Sequence, residues 1–195
     1  TRNACMMFAQ AQLFDEQDLA KKCLEIIECN ARDTLSSPGF LDLPHSSLRL
    51  ILSSDKLRTR EIEIFRACLR WAESECQRRQ LDFDFDNKRK VLSDLIYLVR
   101  FPLITLSDIA EEVVASGVLT TEELVQLFSY LCAKPGKQPK IPFPSKPRIR
   151  FLVVGTDWAN EVRDMVASRN AVQVEAVNPN TEGLALQTCL QFDAV

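Results

Sequence analysis

Apolar residues in the first two thirds of the chain recur at helical spacing. The strongest pattern runs from residue 59 to residue 72, where charged side chains fill the positions between the apolar ones. Its apolar members with 3–4 spacing are Ile64, Phe65, Cys68, Leu69 and Ala72. This periodicity is typical of a helix that buries one face. We therefore predict a long helix here, with Thr59 as its N-terminal cap.

Similar stripes predict helices on both sides of this one. They cover residues 3–14, 19–27, 44–53 and 91–99, and two further segments open with the capping patterns Thr105-x-x-Asp108 and Thr120-x-x-Glu123. Short turns separate the stripes, and none alternates in the manner of a strand. The sequence predicts a mainly α domain over residues 1–133, built as an array of antiparallel helix pairs.

The composition changes after residue 133. Residues 135–150 hold five of the nine prolines, several lysines and arginines, and no acidic residue. We predict an extended, basic, proline-rich linker over residues 134–148. Its P-x-x-P patterns, Pro139 to Pro142 and Pro144 to Pro147, also fit ligands of SH3-type domains, although a plain spacer is the favoured interpretation. Alternating strand-like and helix-like segments then predict the start of a short, incomplete α/β (βαβα) domain over residues 149–195.

Charge and apolar content argue against two kinds of partner. The 24 basic and 27 acidic residues leave a formal net charge of −3, which gives no nucleic-acid signature. The longest apolar run is a handful of residues, whereas a membrane-spanning helix needs roughly 20. We expect neither nucleic acid nor a membrane as a partner. Because the first residues show no initiator methionine and no signal-peptide pattern, we also expect a longer parent protein.

The residue types that carry catalysis or bind metals are sparse. His45 is the single histidine, and the seven cysteines form no C-x-x-C pair, so we predict no catalytic residues, no metal and no cofactor. Residues 82–86 imitate the opening of a calcium loop, but Asn87 stands where that loop needs glycine. The stretch around Gly155 and Asp157 holds one glycine where a dinucleotide site needs three. The cysteines are typical of buried thiols in a reducing compartment, which predicts a cytoplasmic location, with the nucleus as the alternative.

Several spaced motifs recur in order along the helical segment. They are Phe40-Leu41-Asp42-Leu43, Ile51-Leu52-Ser53-Ser54-Asp55, Glu61-Ile62-Glu63-Ile64-Phe65-Arg66-Ala67, Trp71 and Val99-Arg100-Phe101-Pro102-Leu103-Ile104. In this order they resemble the BACK domain, the helical domain that follows a BTB domain in many cullin-3 adaptors. The opening stretches, residues 3–14 and 19–25, look like the helix pair that joins BTB to BACK. The resemblance covers residues 3–132.

This resemblance implies a non-enzymatic scaffold. A preceding BTB domain would form a homodimer and bind cullin-3, and a C-terminal domain would present a protein substrate for ubiquitylation. Because the first helix pair completes the cullin-binding groove in that family, five residues are candidate partner contacts by position: Met6, Met7, Phe8, Leu13 and Phe14. The residues Glu61, Phe65 and Trp71 fall on the family's signature and are expected to stabilise the fold.

Two alternatives remain open from the sequence. The chain could belong to an oligomeric scaffold that works without cullin, and the basic linker would then recruit a partner. Alternatively, the α/β part could be a ligand-binding or enzymatic module mounted on a BACK scaffold, with Asp157 at the ligand-facing end of its first strand.

Overall fold

The structure is a computed structural model, and it describes residues 3–134 and 136–148. The chain divides into two units, Thr1–Arg148 and Ile149–Val195. All of the described residues belong to the first unit. The predicted α/β part, including Asp157, lies outside the described residues and stays a prediction.

The described residues form helices joined by short turns. In chain order the α-helices are α1 (Ala4–Leu13), α2 (Gln17–Cys29), α3 (Ala31–Leu35), α4 (Pro38–Leu41), α5 (His45–Ser53), α6 (Glu61–Arg78), α7 (Phe85–Leu92), α8 (Leu106–Asp108) and α9 (Thr121–Cys132). Two 3₁₀-helices, Ser93–Leu98 and Phe101–Leu103, and a π-helical turn, Ile109–Val113, complete the set. No strand occurs in the described part of the chain, which confirms the mainly α prediction there.

The longest helix, α6, lies where the 3–4 pattern predicts it but differs at both ends. The predicted cap at Thr59 is wrong, because Arg60 still has an extended backbone and the helix begins at Glu61. The helix also continues to Arg78, beyond the apolar stripe. Arg78 and Arg79 each donate to the carboxylate of Glu75 at 2.6 Å, and such pairs one turn apart support the last turns of a helix.

The core is built around α6. Trp71 is fully buried, and its indole N–H donates to the carbonyl of Leu43 at 2.9 Å. Six residues earlier, the ring of Phe65 packs edge-to-face with that of Phe101, with 5.4 Å between ring centroids. The buried cluster extends from Cys5 on α1 to Leu127 on α9. A single continuous core therefore holds the first and the last helix in place.

The predicted helix over residues 91–99 is divided in two. The helix α7 starts earlier, at Phe85, because the carboxylate of Asp84 accepts the backbone N–H of Asn87 at 2.6 Å. It ends at Leu92, since Ser93 has a positive φ of 47° and a 3₁₀-helix follows. Residues 82–84 are thus a short loop before α7, as the loop interpretation predicts, whereas residues 85 and 86 belong to the first turn of the helix.

Residues 136–148 contain neither helix nor strand, as their composition predicts. Their interpretation as a plain spacer differs from what the structure shows. The residues Phe143 and Arg148 are only 3% and 4% exposed, because the side chains of both insert into the helical unit.

Candidate partner-binding surface

The helix α1 is apolar on more than one face. Its sequence, ACMMFAQAQL, contains no charged residue, and only one side of the helix is covered by its neighbours. The buried side consists of Ala4, Cys5, Phe8 and Ala11. An apolar helix that keeps a second face open is a common feature of surfaces that bind another protein.

Four of the five predicted contact residues lie on the open side of α1 or directly after it. Leu13 and Phe14 are 78% and 72% exposed, and Met6 and Met7 are about half exposed. Large apolar side chains with that much exposure form a patch that water hydrates poorly. Methionine adds a flexible side chain that adapts to the shape of a partner. The structure thus leaves Met6, Met7, Leu13 and Phe14 exposed on α1 and directly after it.

The fifth candidate, Phe8, is not on this surface. Its side chain is 2% exposed and belongs to the core cluster together with Cys5 and Ile27. A contact between Phe8 and a partner would require opening the core between α1 and α2. We therefore correct its assignment from partner contact to core residue.

A cleft of about 370 Å³ runs along the exposed side of α1. Met6, Ala9 and Leu13 form its α1 wall, and Leu43 and Pro44 face them from the turn before α5. The hydroxyl of Ser47 donates to the Gln12 side-chain oxygen at 2.6 Å and ties α1 to α5 below the cleft. The cleft is therefore a mostly apolar groove, suited to an apolar side chain of another protein.

The candidates for catalytic chemistry are His45 and the cysteine thiols. His45 opens α5, with its Nε2 3.4 Å from the carboxylate of Asp94 and its ring 6.1 Å from that of Trp71. Burial raises the pKa of Cys5 to about 11 and that of Cys68 to about 12. Thiols with such values are neutral at physiological pH and are poor nucleophiles.

Within residues 3–134 and 136–148, no group of three or more His, Cys, Asp or Glu side chains could hold a metal ion. The helices in the same ranges are all too short or too polar to cross a membrane.

The sequence did not predict a buried ion pair between Glu61 and Arg148. Their side chains are 6% and 3% exposed, and Nε of Arg148 lies 2.6 Å from Oε1 of Glu61. A separation of 87 residues leaves no periodic signal. The one hint of this pair in the sequence is that Arg148 ends a segment without acidic residues.

Comparison with known proteins places the helical unit in a family. The model of the BACK (BTB And C-terminal Kelch) family matches residues 4–114. Human BTB/POZ domain-containing protein 3 is 42% identical over 147 residues, which are 75% of this chain and 28% of that protein. BTB/POZ domain-containing protein 6 from mouse is 38% identical over 147 residues, 75% of this chain and 27% of the relative. BTB/POZ domain-containing protein 6-B from zebrafish (Danio rerio) is 40% identical over 147 residues, 75% and 30% respectively.

The chain spans less than a third of the length of these relatives. No solved structure matches it significantly. The matched residues include every helix from α1 to α8, the exposed side of α1 and the core around Trp71. On this match, and on the identity to BTB/POZ proteins that extends through three quarters of the chain, the protein belongs to the BACK family.

Proposed function

We propose that this chain is part of a non-enzymatic BTB–BACK adaptor of a cullin-3 ubiquitin ligase. In this proposal, a BTB domain forms the homodimer and binds cullin-3, and the helical unit holds a C-terminal domain, with its protein substrate, at a fixed distance from the ligase. The observation that carries the proposal is the exposed apolar side of α1, beside a groove, in a chain of the BACK family.

The interior of the unit supports a spacer role. One core cluster runs through the helices, and ion pairs link elements that are far apart in sequence. Arg66 on α6 contacts Glu112, and Arg89 on α7 donates to Glu123 on α9 at 2.7 Å. A close-packed interior of this kind transmits orientation from one end to the other with little deformation.

The thiol chemistry supports a non-enzymatic role in a reducing compartment. Cys5, Cys23, Cys68 and Cys76 are buried and unpaired, and burial raises the pKa of each thiol. Reduced, buried cysteines are typical of proteins of the cytoplasm and nucleus, and the cytoplasm is our proposed location.

The proposal is tested with the full-length protein and purified cullin-3. We expect saturable binding, and we expect Leu13→Asp or Phe14→Asp to weaken it at least about tenfold, which corresponds to about 1.4 kcal/mol. Val125→Asp is the matched control, because Val125 is 60% exposed on α9, outside the groove. Binding by calorimetry is measured beside the thermal unfolding of each variant.

Absence of cullin-3 binding, under conditions in which another BTB–BACK protein binds, would contradict the proposal. Size-exclusion chromatography of the same sample then shows whether the protein is a dimer. A dimer that does not bind cullin-3 would identify a cullin-independent scaffold.

A further inference from the structure

Residues 143–148 attach to the helical unit at two points. The first is Phe143, whose ring meets Phe101 edge-on with 4.8 Å between centroids and stacks on Tyr97 at 6.0 Å. Phe101 in turn packs on Phe65 of α6, so the ring of Phe143 extends the core. Between the two points, Pro144, Ser145 and Lys146 are exposed.

The second point is Arg148, whose guanidinium is enclosed by acceptors. Its Nε donates to Oε1 of Glu61 at 2.6 Å, and its Nη2 lies 3.4 Å from Oε2 of the same carboxylate. Its Nη1 donates to the carbonyls of Leu52, at 2.8 Å, and Ser54, and its Nη2 reaches the carbonyl of Leu98 at 3.4 Å. These five contacts equal the number of N–H donors on an arginine.

A further contact, made by an arginine of the helical unit, lies between these two points. Arg100 is buried, and its Nη1 donates to the backbone carbonyl of Lys146 at 2.7 Å. Its Nη2 contacts the carboxylate of Asp55, and its backbone N–H donates to Oε2 of Glu61 at 3.2 Å. The segment of residues 143–148 is thus held by one aromatic ring, one backbone carbonyl and one guanidinium.

The acceptors around Arg148 require a guanidinium. Glu61 is 7% exposed, and a buried carboxylate without its counter-charge is strongly destabilising. Three backbone carbonyls, two from the end of α5 and one from Leu98, accept from the same guanidinium. A lysine carries its charge on one atom with three donors and cannot reach a carboxylate and three carbonyls in this planar arrangement.

We propose that the helical unit contains a receptor site for an aromatic–arginine segment, and that residues 143–148 of this chain are its intramolecular ligand. We call the site the arginine cradle, defined as the Glu61 carboxylate with the carbonyls of Leu52, Ser54 and Leu98. The docked segment is then a fixed strap, and the chain leaves the helical unit at one defined position. A domain that reads Pro144-x-x-Pro147 would have to displace the strap. This inference is independent of cullin-3 binding.

The first experiment uses the unaltered full chain. Trypsin needs an extended stretch of substrate on both sides of the cleaved bond, and a docked strap cannot supply it. Cleavage at the bond between Lys140 and Ile141 should therefore be at least about tenfold slower in the chain than in a free peptide of residues 137–148. Equal rates at this bond would overturn the proposal.

Two single variants extend the same assay. Arg148→Lys keeps the positive charge but should release the strap and speed cleavage at Lys140 several-fold. Lys146→Ala is the matched control, because only the backbone carbonyl of Lys146 contacts Arg100. Its cleavage rate should equal that of the unaltered chain. Equal protection in Arg148→Lys would show that the guanidinium is not recognised and would contradict the cradle.

The second experiment separates ligand from receptor. A fluorescent peptide of residues 141–148 is titrated against the full chain carrying Phe143→Ala and Arg148→Ala, and against the unaltered chain. We expect saturable binding to the variant, at least tenfold weaker binding of a peptide with Arg148→Lys, and no binding to the unaltered chain, whose cradle is occupied. Equal binding to both chains, or none to a variant that circular dichroism shows to be folded, would overturn the proposal. If the double variant is unfolded, the rates of tryptic cleavage after Lys140 test the proposal on their own.

Discussion

Arg66 on α6 donates its Nε–H to Oε2 of Glu112 at 2.7 Å and so joins the longest helix to the π-helical turn. A second nitrogen of the same guanidinium, Nη1, donates to Glu63 at 2.7 Å. The hydrogen bond from Arg66 lowers the pKa of the Glu112 carboxyl below its ordinary value of 4.5. The contact therefore has a direct effect on how the protein responds to acid.

The unit should lose stability in acid partly through this contact. Because the folded-state pKa of Glu112 is lowered, its contribution is present above pH about 4.5 and is lost as the pH falls through the folded-state value. Glu112→Gln should therefore give a flatter decline of Tm between pH 6 and about pH 3. Thermal unfolding at a series of pH values measures the difference.

A double-mutant cycle provides the control for this prediction. Arg66→Gln should flatten the same part of the curve, and the double variant should add little to either single one, because both remove one interaction. Salt should weaken the effect, since both side chains are about one third exposed. An acid decline that is unchanged in both single variants would contradict the assignment.

Trp71 should be among the most costly side chains to truncate. It is fully buried and donates a hydrogen bond to the Leu43 carbonyl. Trp71→Ala should lower the free energy of unfolding by about 3–5 kcal/mol, because a cavity remains. Trp71→Phe keeps most of the ring but leaves that carbonyl without its donor, and should cost about 1–3 kcal/mol. Urea unfolding followed by circular dichroism measures both.

The exposed Phe83 is the control for Trp71. It is 62% exposed, so Phe83→Ala should change the free energy of unfolding by less than about 0.5 kcal/mol. A Trp71→Ala variant as stable as Phe83→Ala would place the indole outside the core.

Gly117 should resist substitution for two reasons. Its φ is +63°, a region that L-residues adopt at a cost of about 1–2 kcal/mol, and a Cβ there would lie 2.7 Å from Cγ of Phe85. Gly117→Ala should therefore destabilise the unit by more than the backbone cost alone. Gly136→Ala is the matched control, because φ at Gly136 is +81° and nothing lies within 4 Å of its Cβ position.

The steric part of the Gly117 effect can be removed separately. In a background with Phe85→Ala, the substitution Gly117→Ala should cost about as much as Gly136→Ala. Chemical denaturation of the four chains gives the coupling between positions 85 and 117. A cost that does not depend on the residue at position 85 would show that the ring moves aside freely.

Patterns with a local cause were predictable from the sequence. The 3–4 stripe around Phe65 predicts α6, and the Thr120-x-x-Glu123 pattern forms the reciprocal capping box of α9. In the matching pattern at Thr105, the hydroxyl oxygen accepts the backbone N–H of Asp108 at 3.2 Å. These features depend on residues within one turn of each other, so a short window of sequence contains the whole interaction.

Features that depend on tertiary packing were not predictable in the same way. One such feature is the break at Ser93: Leu95 and Ile96 keep the apolar spacing of a continuous helix and are buried, but Ser93 has a φ of 47° and a 3₁₀-helix follows. In α1, apolar residues lie on all sides, so the pattern alone does not distinguish buried Phe8 from exposed Leu13. The pairing of Glu61 with Arg148 depends on residues 87 positions apart.

The buried guanidinium of Arg148 has a practical consequence for protein production. A recombinant truncation at residue 133, where the composition of the chain changes, would remove Arg148 and Phe143. Arg148 is the counter-ion of Glu61, and the ring of Phe143 packs on Phe101. The shortened polypeptide would leave the Glu61 carboxylate without its counter-charge, which destabilises the fold, and would uncover apolar surface, which favours aggregation. A recombinant version of the helical unit should therefore extend at least to residue 148.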